Sequence, residues 1–147
     1  MSQINKISVH VDGGSRGNPG PAALGVVFGA PLNKSYSNYL GIKTNNEAEY
    51  SAVVFALQKL KSLLGKNNLK DTEVQFFMDS ELAVKQLNYE YKIESPNIIP
   101  SFIKIHNLRL SFGDVKFTHV PREQNKDADK MVNIALDENT QKDSLFG

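Results

Sequence analysis

The sequence contains no cysteine, which excludes disulfide bonds, thiolate zinc sites and cysteine nucleophiles and is compatible with a reducing compartment. It has no run approaching the roughly 18 consecutive apolar residues of a membrane-spanning helix. Its start, MSQINKISVH, lacks the apolar stretch of a secretion signal. A cytoplasmic protein without a membrane partner is therefore expected. Neither sign of charge is in excess: 17 Lys and Arg against 16 Asp and Glu leave a net charge of +1, so overall charge selects no partner. Internal repeats, linkers and low-complexity segments are also missing. What remains is an ordinary globular composition, 40% hydrophobic and 22% charged, in a chain of 147 residues, the length of one domain with one core. We expect that domain over residues 1–138, with 139–147 as a flexible C-terminal tail and the protein as a monomer.

The hydrophobic pattern changes period along the chain. KISVHVD alternates, with Ile7, Val9 and Val11 on one side and Ser8, His10 and Asp12 on the other, the period of a strand. AALGVVFGA and KSYSNYLGIK read as two further strands at spacings short enough for an antiparallel meander. From Thr44 to about Leu64, apolar residues recur at three and four positions, the stripe of a long amphipathic helix that Gly65 ends. EVQFFMD is a nearly continuous apolar strand of the kind covered on both faces, and SELAVKQLN a helix directly after it. YEYKIESPNIIP is a loop, SFIKIHNLRLSF a helix, DVKFTHV a last strand and NKDADKMVNIALDE a last helix. The order β-β-β-α-β-α-α-β-α predicts an α/β fold, a mixed sheet with helices packed on its faces.

Four carboxylates stand apart from the solvated majority by their places in these elements. Asp12 ends the first strand and Asp79 the buried one, while Glu49 and Asp129 lie in the first turns of helices. Each has a local explanation. Asp79 could cap the helix that follows it, Asp12 could open a side-chain turn into the glycines, and Glu49 and Asp129 are favourable charges near helix N-termini. TNNE has the form of a capping box from Thr44 to Glu47. Periodicity does not choose between Glu47 and Glu49, nor between Asp127 and Asp129. Strand ends and helix starts can nevertheless bring all four to one edge of the sheet. Carboxylates clustered there would raise one another's pKa values unless cations neutralised them. Hard oxygen ligands select Mg²⁺ or Mn²⁺, and a pair of such ions about 3.5–4 Å apart clamps both oxygens of a phosphodiester displacement.

At VHVDGGSRGNPGPAALGVV, TNNEAEYSAVVFAL, FFMDSELAVKQL and HVPREQNKDAD, in that order and over nearly the whole chain, the sequence resembles the type 1 ribonuclease H family. The resemblance implies a ribonuclease H-like five-stranded mixed sheet in the order 3-2-1-4-5. It also implies a two-ion Mg²⁺ or Mn²⁺ site made by Asp12, Glu49, Asp79 and Asp129, and an endonuclease that cuts the RNA strand of RNA/DNA hybrids to leave 5′-phosphate and 3′-hydroxyl ends. It leaves double-stranded RNA open as a second duplex. Substrate contacts implied in the same way fall on Gly13, Gly14, Ser15, Arg16 and Asn18 beside the RNA 2′-hydroxyls, on Thr44, Asn45 and Asn46, and on Ser80.

Two departures from the family pattern matter. His119 sits at a strand end instead of in the glycine-rich loop that carries a histidine in many members. Arg122 is the alternative assistant, as in the shorter subgroup that HVPREQN resembles. Residues 88–112 carry only Lys92, Lys104 and Arg109 among acidic neighbours where some relatives have a basic protrusion, so modest, salt-sensitive affinity is expected. The rival reading keeps the fold without catalysis, as a domain that binds hybrid or double-stranded RNA by shape; a nucleotide-phosphate-binding reading lacks a second phosphate loop.

Overall fold

A computed structural model describes residues 5–146, with side chains as far as Thr140. Three antiparallel strands come first, β1 (Asn5–Ser15), β2 (Gly20–Phe28) and β3 (Lys34–Lys43), followed by helix α1 (Asn45–Leu64). Then come β4 (Thr72–Met78), α2 (Glu81–Leu87), α3 (Ile99–Arg109), β5 (Asp114–His119) and α4 (Lys126–Phe146). The element order is the one the hydrophobic pattern implies, and the sheet order is β3-β2-β1-β4-β5. β4 and β5 run parallel to β1, because helical crossovers return the chain to the same end of the sheet.

The core lies between one face of the sheet and α1, where Ile7, Val9, Val11, Val26 and Phe76 meet Tyr50, Val53, Leu57 and Leu60, all at most 2% exposed. Burying a large apolar side chain of this kind contributes roughly 1.5–3 kcal/mol. The start of α1 is fixed by the expected capping box: the Thr44 hydroxyl accepts from the Glu47 amide at 3.1 Å, and the Glu47 carboxylate accepts from the Thr44 amide at 3.1 Å. Its end is Gly65, at φ 81. On the opposite face α4 seals a smaller cluster of Ala23, Val132, Ala135 and Leu136.

Four details differ from the sequence reading. β1 does not stop at Asp12 but runs on, pairing Gly13, Gly14 and Ser15 with Leu24, Ala23 and Ala22, so the turn starts only at Arg16. β4 is not fully covered on both faces: Val74, Phe76 and Met78 are buried while Gln75 and Phe77 are half-buried, because α4 packs over β1, β2 and β3 instead. α3 starts at Ile99, two residues early, with Pro100 in its first turn, where its missing N–H costs nothing. α4 runs through residues 139–146, expected as a tail, to Phe146; the segment holds no Gly or Pro to stop it. Gly147 lies outside the described residues. No helix among the described residues is long and apolar enough to cross a membrane.

Candidate active site

The parallel pairing of β1 with β4 ends at His10 and Phe77, so Asp12 and Asp79 project just beyond it, where a parallel sheet opens a crevice at its strand ends. Asp79 does not cap α2. That task falls to Ser80, whose hydroxyl accepts from the Ala83 amide at 3.2 Å. Two glycines admit the remaining carboxylates. A Cβ on Gly13 would lie 2.2 Å from the Ala48 carbonyl carbon and 2.4 Å from the Glu49 nitrogen; without one, the first turns of α1 rest on β1 and carry Glu49 beside Asp12. On Gly25, the β2 partner of Asp12, a Cβ would lie 2.2 Å from the Ala128 carbonyl oxygen. Its absence lets α4 settle with Asp129 at the same place.

Asp12, Glu49 and Asp79 each present a carboxylate oxygen within 4.8 Å of the others. Asp129 falls outside that tight group but lines the same cleft, of about 330 Å³, and its charge acts on both Asp12 and Asp79. Burial first, then the charges of Asp79, Glu49 and Asp129, push Asp12 up to about 8, against a hydrogen bond from the Gly13 amide. Burial pushes Glu49 up to about 7, opposed by the Ser80 hydroxyl and reinforced by Asp79. Asp79 is also raised by burial, with the Arg122 guanidinium holding it down. Buried oxygens that strain toward protonation are a donor set for a small, hard divalent cation.

The competing acidic residues lie elsewhere. Glu47 is consumed by the capping box, and Asp127 lines a different pocket with His10 and Lys126. Gly14, Ser15, Arg16 and Asn45 line the carboxylate cleft, as does Arg122. Asn45 takes hydrogen bonds from the Ser15 amide at 2.8 Å and hydroxyl at 3.0 Å, and its own amide donates to Asn18 at 3.0 Å. The turn and the start of α1 are therefore one unit. Arg16 reaches α4, donating to Asp137 at 2.6 Å and Asn133 at 3.3 Å. Asn46 lies apart, in a groove with Gln86, Tyr91 and Lys92. His119 is exposed at the end of β5 and is not among the residues lining the cleft.

A family model described as reverse transcriptase-like matches residues 10–135. Ribonuclease HI of Halobacterium salinarum is 35% identical over 136 residues, 90% of this chain and 65% of that protein. The chain belongs to the type 1 ribonuclease H family. A bifunctional protein of Mycobacterium tuberculosis is 32% identical over 90% of this chain, which spans 36% of that protein's length. The chain thus covers between a third and two thirds of these curated relatives. Among solved structures, LC11-RNase H1 in complex with an RNA/DNA hybrid is 40% identical with a TM-score of 0.85, covering 91% of this chain and 99% of that one. RNase H1 from Halobacterium salinarum is 33% identical with a TM-score of 0.82, at 91% and 99% coverage.

Two residues that shape this ribonuclease H-like site escaped the sequence reading. Gly25 had a signal, since an isolated glycine inside a strand marks close backbone approach. Asn125 had only the weak signal of an N-cap residue before a helix, and its side chain turns to the Val11 carbonyl instead.

Proposed function

We propose that this chain is a divalent-metal-dependent endoribonuclease that hydrolyses the RNA strand of RNA/DNA hybrids, leaving 5′-phosphate and 3′-hydroxyl ends. The observation that carries the reading is the convergence of Asp12, Glu49 and Asp79, from β1, α1 and the end of β4, within 4.8 Å. The elevated proton affinities of Asp12 and Glu49 give the same cluster a reason to take up cations.

In this reading Asp12, Glu49, Asp79 and Asp129 would hold two Mg²⁺ or Mn²⁺ ions through their carboxylate oxygens. When bound, such ions supply a water of lowered pKa and stabilise the departing 3′-oxygen. The protein's own part is to fix the donors. Gly13 and Gly25 let two helices close on the sheet, and Ser80 favours the ionised form of Glu49 while capping α2. Arg122 supplies fixed positive charge at the cleft, suited to a phosphate or the leaving oxygen; a guanidinium does not shuttle protons near neutral pH.

Selection for RNA rests on the unit formed by Gly14, Ser15 and Asn45 at the cleft wall, where backbone and hydroxyl groups can meet a 2′-hydroxyl. Gly13 serves packing as well. Thr44 combines its cap with a helix N-terminus suited to a phosphate of the DNA strand, and Asn46 opens toward the neighbouring groove. Under this reading the protein acts as a monomer in the cytoplasm. A silent duplex-binding domain is not favoured, because it has no use for four carboxylates in one cleft.

The test is cleavage of a labelled hybrid with Mg²⁺ or Mn²⁺, comparing the wild type with Asp79→Asn. The reading requires metal-dependent cutting of the RNA strand and its loss in the variant. Undiminished cutting by a folded Asp79→Asn protein overturns it.

A further inference from the structure

We propose that Asn125 is a positioning residue whose single buried side-chain amide locks the elements carrying Asp12, Asp79 and Asp129 into one constellation. The inference rests on the metal-dependent reading above and extends it to a residue outside the carboxylate quartet.

Asn125 closes the short 3₁₀ turn Arg122–Gln124 and immediately precedes α4. Asparagine is a preferred residue at such a place because its side-chain oxygen ordinarily accepts a free N–H from the helix's first turn. Here it does not. Asn125 is 1% exposed, and its Oδ1 is, among the described residues, the one buried side-chain polar atom with no hydrogen-bond partner. The other end of the amide is engaged instead: Nδ2 donates to the Val11 carbonyl at 2.9 Å, on the residue before Asp12. The same side chain lies close enough to Asp79 to favour its ionised form. Through its backbone carbonyl, Asn125 also accepts the Asp129 amide at 3.1 Å.

A buried acceptor without a partner is a cost to the folded state. A side chain kept only to start α4 would avoid that cost by turning Oδ1 onto the helix. The orientation found makes sense as a donor's: the amide reaches across to β1 and to the end of β4 while the backbone anchors α4. Asp12, Asp79 and Asp129 are 50 to 117 residues apart in sequence, and Asn125 is a place where all three of their segments are tied together.

The experiment compares the wild type with Asn125→Ser and Asn125→Thr. Both replacements are good N-caps but too short to span to β1 and Asp79, so a merely helix-starting role leaves their metal binding untouched. Mn²⁺ binding to the free protein is followed by electron paramagnetic resonance, alongside thermal melting by circular dichroism. We expect a variant that melts cooperatively to bind Mn²⁺ at least fivefold more weakly than the wild type. Wild-type affinity in a folded variant overturns the inference while leaving the nuclease reading standing; a wild-type protein that takes up no Mn²⁺ overturns both. If neither variant folds, ¹⁵N-labelled wild-type protein decides. The Asn125 side-chain amide resonances must then shift with Mg²⁺ along the same saturation curve as the site, and an unmoved amide overturns the proposal.

Discussion

Asp12 faces Gly25 across the β1–β2 ladder, and the backbone of α4 fills the space that a side chain on that glycine would need. The catalytic candidate and its silent neighbour are thus one device: the carboxylate has the position, and the glycine admits the helix that brings Asp129. Gly13 performs the same service for α1 and Glu49.

Gly25→Ala and Gly13→Ala should therefore each push a helix off the sheet. The added methyl would sit 2.2 Å from backbone atoms of Ala128 or Ala48, which no side-chain rotation relieves. We expect a loss of roughly 1–3 kcal/mol or more in urea unfolding, with hybrid cleavage falling by at least tenfold. Gly14→Ala is the control for stability, because its Cβ would meet only the Val132 side chain at 3.8 Å, an ordinary contact. Equal stability of all three variants would remove the packing argument.

Glu47 and Glu49 should respond oppositely to the same chemical change. Glu47→Gln keeps an acceptor that can reach the Thr44 amide, since glutamine also completes a capping box, so stability should fall by less than about 1 kcal/mol and activity should persist. Glu49→Gln removes a charge from the 4.8 Å cluster and should lower cleavage by two or more orders of magnitude without unfolding the protein. Steady-state cleavage assays beside melting curves decide between them.

These two residues also mark how far the sequence could be read. The architecture was legible because periodicity reports burial directly: Ile7, Val9 and Val11 alternate, Tyr50, Val53, Leu57 and Leu60 recur on a helical stripe, and each set lies in the core. The capping box was legible for the same local reason. Glu49 against Glu47 was not, because that choice depends on how α1 is rotated over β1, which Gly13 sets through a contact 35 residues away. The continuation of β1 through Ser15 was hidden too, as the consecutive glycines read as a turn although Gly13 answers to the backbone of α1. Asn125 was invisible for a further reason: its partners, Val11 and Asp79, lie 114 and 46 residues distant.

Arg122 and His119 should separate by activity. Arg122 lines the cleft and favours ionised Asp79, so Arg122→Ala should lower cleavage by about tenfold to a hundredfold, in the range of a lost electrostatic donor. Arg122→Lys should restore part of it. His119 is exposed and does not line the cleft; its charge instead helps hold down the Glu81 carboxyl, behind the larger effect of Lys85. His119→Ala should stay within about twofold of wild type. Initial rates at saturating hybrid check both, and a reversed ranking would return the assisting role to the histidine.

The carboxylate cluster should also make the metal-free protein weaker in base than in mild acid. Asp12 is raised from 3.8 to about 8 and Glu49 from 4.5 to about 7, so between those limits the folded state binds more protons than the unfolded state. By linkage, stability then falls as pH rises: this contribution is fully present below about pH 4 and is lost as pH passes through 7 to 8. The cost of holding both carboxylates ionised therefore grows across that range and is complete by about pH 9. Melting in a chelating buffer should therefore give a lower Tm at pH 9 than at pH 5.5, and Asp12→Asn should recover much of the difference. Added Mg²⁺ or Mn²⁺ binds only the folded protein and should stabilise it by about 2.7 kcal/mol at a hundredfold excess over Kd, with most effect at high pH, where no protons must be displaced. A metal-free Tm that climbs from pH 5.5 to 9, or an Asp12→Asn protein that gains nothing, would mean that these carboxylates do not repel one another in the folded state.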